Sequence, residues 1–209
     1  GSLQNDKRKE TFRDHKVWMP KGETKKEIEL QLTVPKSTVN VQYLAGVDYT
    51  PKNYLAMEVL KGILRLRYTE VIREKEGGTY GVGVGGIGNP YPTPQISMAL
   101  NFDCDPAKAE HLKSVALNEI QTIINEGPTE VDFDKTIKNL LKDREQQSQH
   151  NSFYLRALFN MYYRNTNTAD VANFENVLNA MTREDIQKFA KDFFAKADKV
   201  DMVFKPKAE

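Results

Sequence analysis

The sequence has little of what most catalytic centres are built from. A single cysteine, Cys104, stands among 209 residues, which excludes an internal disulfide and any metal site made of several thiolates. It leaves the redox compartment open. There are three histidines, His15, His111 and His150, and none has another at helical spacing; neither H-E-x-x-H nor H-x-x-E-H occurs. A zinc site needs three or four protein ligands on a shaped scaffold, so no metal is expected on this chain alone. No G-x-S-x-G elbow marks a serine nucleophile, and no histidine lies near Cys104 to activate its thiol. Nothing approaches the roughly 20 consecutive apolar residues of a membrane span, and none of these residues reads as a signal peptide, the native start being expected to lie upstream of this piece. Charge of one sign is missing too. Lys and Arg number 30 against 29 Asp and Glu, dispersed along the chain, with Lys25-Lys26 and Lys205-Lys207 as the densest basic places. That balance gives no reason to expect nucleic acid or an anionic membrane as partner.

What is there is periodicity. Gly1-Ser2 reads as the remnant of a cleaved tag, and residues 1–24 as remnant plus a polar linker or arm; residues 25–209 then form one domain. Ile28, Leu30, Leu32 and Val34 alternate with polar residues, which predicts a strand with one buried face. Val39, Val41 and Tyr43 predict a second, antiparallel to the first across a short turn. Thr50-Pro51 starts a helix, with Thr as N-cap and Pro at the first helical position. A further helical piece from Tyr68 to about Lys75 stops at Gly77-Gly78. Tyr80, Val82 and Val84 are expected on one strand face, glycines on the other. A proline-rich loop then leads to a strand carrying Ile96, Met98, Leu100 and Phe102, and Asp105-Pro106 opens a long helix. Thr129 and Thr182 begin capping-box patterns. Phe153 to Tyr163 is an aromatic-rich helix, and Val200, Met202 and Phe204 close the chain as a strand. Strands come in pairs, then helices follow. The expected fold is α+β: two layers, with a mostly antiparallel or mixed sheet and helices on one face.

One string is misleading. Gly81-x-Gly83-x-x-Gly86 satisfies the dinucleotide fingerprint, but that mechanism needs a helix N-terminus immediately afterwards to hold the pyrophosphate. Asn89-Pro90-Tyr91-Pro92 follows instead. The alternating glycines point to close packing against one strand face. A nucleotide-binding oxidoreductase rests on this string alone.

The segment Ile72-Arg73-Glu74-Lys75-Glu76-Gly77-Gly78-Thr79-Tyr80-Gly81-Val82 carries more. It resembles the R-E-K-x-G-x-x-Y stretch of the C-terminal, non-zinc domains of the pitrilysin/insulinase family of zinc metallopeptidases, nearest a PqqL-like bacterial branch. The preceding strands, the helix that starts at Pro51-Lys52, the helix with Phe133-Asp134-Lys135 and the helix from Thr182 to Phe194 resemble the same domain, so the likeness spans roughly residues 25–205. It implies that Arg73 and Tyr80 are substrate-binding residues, with Tyr80 also stabilising the oxyanion, while the zinc motif lies elsewhere. It implies zinc in a partner half, N-terminal in the same chain or on another subunit, with a peptide as substrate. It also implies a periplasmic or envelope setting. On the residues alone, Arg73 reads as a solvated cation near a helix C-terminus, and Tyr80 as a core aromatic at a strand start. The rival functional reading is a peptidase-like domain without activity that serves in binding or assembly.

Overall fold

A computed structural model of the chain describes residues 13, 15, 18–164 and 167–207. Most of the arm expected at residues 1–24 lies outside them; its last two residues, Glu23 and Thr24, open the first strand. Five strands, β1 (Glu23–Leu30), β2 (Ser37–Ala45), β3 (Gly83–Asn89), β4 (Gln95–Cys104) and β5 (Asp198–Pro206), make one sheet in the order β1-β5-β2-β4-β3. Every pairing is antiparallel except β1 with β5. The sheet is therefore mixed.

That order corrects two expectations. β1 and β2 are not neighbours, because the C-terminal strand lies between them: Glu23 pairs with Lys199, and Thr38 with Phe204. β1 also ends at Leu30, where its ladder meets Pro206, and Leu32 and Val34 are exposed beyond it. β1 is an edge strand with no strongly buried face, and its Lys25, Lys26, Glu27 and Glu29 line an edge that charge protects from further pairing. β2 and β4 sit nearer the middle and alternate as expected. Val39, Val41 and Tyr43, with Ile96, Met98, Leu100 and Phe102, are buried on one face. Asn40, Gln42, Ser97, Ala99 and Asn101 occupy the other.

Helices cover the apolar face. Helix α1 (Pro51–Tyr68) is capped by the Thr50 hydroxyl, which accepts from the Asn53 N–H at 3.1 Å. It lies centrally, touching β3 and several other helices. Leu55, Met57, Val59, Leu60, Ile63, Leu64 and Tyr68 are all buried, more than one stripe of an amphipathic helix provides. A π-helical segment, Thr69–Lys75, continues α1. After the β3–β4 hairpin, a short 3-10 turn (Pro106–Lys108) leads into α2 (Ala109–Glu126), which ends at Gly127 with φ of 79°, a backbone region where glycine carries no Cβ penalty. Then come α3 (Glu130–Ser148), α4 (Asn151–Arg164), two short helices that the sequence pattern does not announce, α5 (Thr168–Ala172) and α6 (Phe174–Asn179), and α7 (Arg183–Lys196). The Thr182–Asp185 capping box at α7 is complete in both directions. Ile186, Ala190 and Phe193 seat α7 in the core, and Phe194 meets the Tyr43 ring edge-on at 4.9 Å.

The glycines of β3 serve packing. A Cβ at Gly86 would sit 3.1 Å from the Met57 sulfur, so α1 lies directly on that strand. The Arg65 guanidinium of α1 reaches the β3 carbonyl of Val84 with two donors, at 2.8 and 3.2 Å.

Candidate functional site

The segment that carries Arg73 and Tyr80 is built from the end of α1 outward. Tyr68 is fully buried, and its hydroxyl donates to the Ala116 carbonyl of α2 at 3.1 Å. Beyond it the chain widens into the π-helical turn, a form seen mostly in single turns and often at functional sites. Ile72 points into the core while Arg73 points into solvent. The turn ends with the Glu76 N–H on the Val71 carbonyl at 3.2 Å. Gly77 then takes φ of 57°, which reverses the chain. Gly78 lies flat on α2: a Cβ there would be 2.5 Å from Leu112 Cδ1. Thr79 turns locally, its hydroxyl meeting the Gly81 N–H and carbonyl at 3.3 and 3.2 Å. The β3 ladder begins only at Gly83.

Tyr80 therefore stands before the strand and not in it, which corrects the expectation that Tyr80, Val82 and Val84 share a strand face. Val84 is buried, Val82 half-buried, and Tyr80 is 101% exposed. A core role for Tyr80 is excluded by that number. Arg73 is exposed as well.

The charges around the segment are mostly committed. Arg65 holds Val84. Arg67 donates to Glu119 at 2.8 Å and to Glu70 at 2.9 Å, tying α1 to α2. Lys75 folds back onto Glu70 at 2.9 Å, and with Arg67 it holds the Glu70 carboxyl below the usual carboxylate range. Arg73 is left over: its guanidinium has no hydrogen bond, ion pair or ring contact with a described residue. Among the described residues, one exposed cation and one exposed phenol without a side-chain partner are thus presented on either side of a glycine reversal.

No sequence pattern announces the contact that anchors this turn. His111, in the first turn of α2, places Nε2 at 2.9 Å from Glu76 Oε2. The two are 35 residues apart, and only the tertiary fold brings them together. The other histidines are elsewhere: His150 lies between α3 and α4, and His15 is exposed before β1. Among the described residues no group of three or more His, Cys, Asp or Glu is arranged to hold a metal ion. Cys104 is buried, and burial, with Asp103 and Asp105 beside it, pushes its thiol up to about 11, against thiolate chemistry. Among the described residues no helix is long and apolar enough to cross a membrane.

A cleft of about 1250 Å³ lies between α1, α3, α4 and the far end of β3, with Tyr54, Lys61, Ile87, Tyr91, Arg144 and Phe153 among its walls. Neither Arg73 nor Tyr80 lines it. Arg144 stiffens one wall, stacked between Phe153 and Phe174 at 4.2 and 4.7 Å.

The chain is thus an α+β domain that presents an arginine and a tyrosine on either side of a pinned turn. The family profile of the peptidase M16 inactive domain matches residues 1–140, and the chain belongs to that family. Its fold is shared by solved proteases. The periplasmic protease PqqL from Escherichia coli superimposes with a TM-score of 0.76 at 19% identity, covering 90% of this chain and 21% of that one. A protease from Helicobacter pylori gives 0.81 at 15% identity, covering 98% and 49%. The peptidase M16 inactive domain from Pseudomonas fluorescens gives 0.76 at 19% identity, covering 91% and 45%. The chain thus spans between about a fifth and a half of these solved chains. No curated protein sequence matches significantly.

Proposed function

We propose that this domain is the non-catalytic half of a zinc metalloendopeptidase, and that it contributes Arg73 and Tyr80 to an active site completed by a zinc-bearing half. The observation that carries the reading is the uncommitted pair: Arg73 and Tyr80 are exposed on the two sides of Gly77-Gly78, while the neighbouring cations Arg65, Arg67 and Lys75 are all engaged. Arginine's rigid donor fork suits a peptide carbonyl. The phenol of Tyr80 suits donation to the oxyanion that develops as water attacks the scissile bond, and loss of one such donor typically costs on the order of 10²–10³ in rate. Zinc belongs to the partner half in this reading, where it would activate the attacking water; no described residues of this chain are grouped to hold it. The periplasmic setting of the Escherichia coli relative supports a cell-envelope location.

A second reading, a binding or assembly subunit without activity, draws on α4. That helix exposes Tyr154, Leu155, Leu158, Phe159, Tyr162 and Tyr163, more apolar surface than one helix of a monomer usually shows.

Cleavage of quenched fluorescent peptides separates the two. The expected result is no cleavage by this domain alone and chelator-sensitive cleavage when it is joined to its native upstream region. Tyr80→Phe in the joined form should lower kcat by about 10². No cleavage in any form, with zinc supplied, would favour the assembly reading; cleavage by the isolated domain would overturn both.

A further inference from the structure

We infer that Glu76 and His111 are positioning residues for Arg73 and Tyr80, acting as a latch that ties the glycine reversal to α2; this inference rests on the functional reading just given. The segment between the π-helical turn and β3 has two attachments to α2, at consecutive residues. Glu76 meets His111 at 2.9 Å, and Gly78 lies against Leu112, which is itself fully buried. The two attachments bracket Gly77, the one residue in the segment with positive φ.

The direction in which the chain leaves the reversal is thereby set. From Gly78 to Gly83, where the β4 ladder takes over, the only hydrogen bonds within the segment are the local ones of Thr79 with Gly81. Tyr80 has no contact of its own to hold it, being fully exposed. Its position is inherited from the anchors on either side: the α2 attachment before it, and Val82 and Val84 against the core after it.

Arg73 is governed from the same point. It lies three residues before Glu76, within the turn closed by the Glu76 N–H on Val71. Releasing Glu76 from His111 frees the last residue of that turn to fray, and helix ends fray first where no side chain or tertiary contact holds them. Gly78 alone is a weak anchor, because a glycine touches Leu112 only with backbone. The latch therefore supplies the side-chain half of the attachment. Its magnitude is modest. The His111 and Glu76 side chains are 59% and 35% exposed, and pairs of that exposure contribute little to global stability. The expected effect is local opening and not unfolding.

Amide hydrogen exchange on the 15N-labelled chain tests this directly. In Glu76→Ala and in His111→Ala, exchange at the residue 76 amide, which closes the turn on Val71, and at the Gly81 amide, which donates to Thr79, should rise about threefold, the opening expected from one lost exposed hydrogen bond. Amides of α1 and β4 should keep their wild-type rates. Glu76→Gln retains an acceptor oxygen for the imidazole and should restore wild-type exchange. The double alanine variant should match either single one, since both remove the same contact. Unchanged exchange at residues 76 and 81, or an equal rise in α1 and β4, would overturn the latch.

Turnover of the joined, zinc-loaded protein tests the positioning role separately. Glu76→Ala should lower kcat about three- to tenfold with KM nearly unchanged, and Glu76→Gln should recover most of it. If Tyr80→Phe lowers turnover and Glu76→Ala does not, the positioning role is wrong. If Tyr80→Phe is itself silent, the functional reading has failed, and the exchange result still decides whether the latch exists.

Discussion

Tyr68 and Tyr80 are twelve residues apart, and the molecule treats them in opposite ways. Tyr68 is completely buried at the end of α1, its hydroxyl satisfied by a carbonyl of α2. Burial pushes its phenol well above the ordinary value, with Tyr43 and Glu119 adding to the shift. Tyr80 is completely exposed beyond the glycine reversal and packs on no described residue. A buried tyrosine with its hydroxyl partnered is explained by packing alone. A fully exposed one on a pinned turn gains nothing from packing, so a reason for it has to be sought outside the domain. The contrast separates the part of the chain that holds the fold from the part that the fold presents.

The sharpest way to break the comparison is to damage the first part. Leu64 is fully buried on α1, between sheet and helices. Leu64→Ala should cost about 3 kcal/mol through lost transfer energy and the cavity left behind, read as a lower urea midpoint at unchanged slope. Next comes the junction. Gly78→Ala would place a Cβ 2.5 Å from Leu112 Cδ1 and 2.9 Å from its Cδ2, so the buried Leu112 side chain must shift. A cost of about 2 kcal/mol is expected, together with weakened amide protection at the start of α2. A wild-type midpoint for this variant would mean that the reversal is not pressed against α2. Tyr68→Phe is smaller still. It removes one buried hydroxyl while the Ala116 carbonyl keeps its place in α2, so about 1 kcal/mol is expected from the same urea titration.

How much of this was legible in the sequence depends on how local its cause is. The Thr50, Thr129 and Thr182 caps were readable because each is a three-residue affair between a hydroxyl and a nearby N–H. The alternation of β2 and β4 was readable because both strands lie inside the sheet with one face under helices. β1 was misplaced because an edge strand carries no such pattern. Its partner, β5, is 176 residues away, and apolar residues at Leu32 and Val34 extended the false signal past the true end. The short helices α5 and α6 were missed because five or six residues show too little periodicity to register. At the candidate site, the Arg73-to-Tyr80 spacing was legible as a resemblance. The exposure of Tyr80, the commitment of every neighbouring cation and the Glu76–His111 contact were not, since each depends on residues far apart in sequence.

The smallest expected change in stability carries the most weight for function. Tyr80→Phe removes one oxygen from a ring already in solvent, and its urea midpoint should stay within about 0.5 kcal/mol of wild type, as for other surface changes away from packed contacts. Tyr80→Ala should do the same, because no neighbour loses a packing partner. In the joined protein the two variants should part from that silence together, both with kcat reduced about 10² and with KM little affected, since the phenol is proposed to act on the developing oxyanion and not on the bound peptide. A fall in stability for either variant would show that Tyr80 does hold the fold after all, and the contrast with Tyr68 would collapse. Silence in both stability and turnover would keep the contrast but remove the reason proposed for it. The aromatic face of α4 would then be the better guide to what this domain meets.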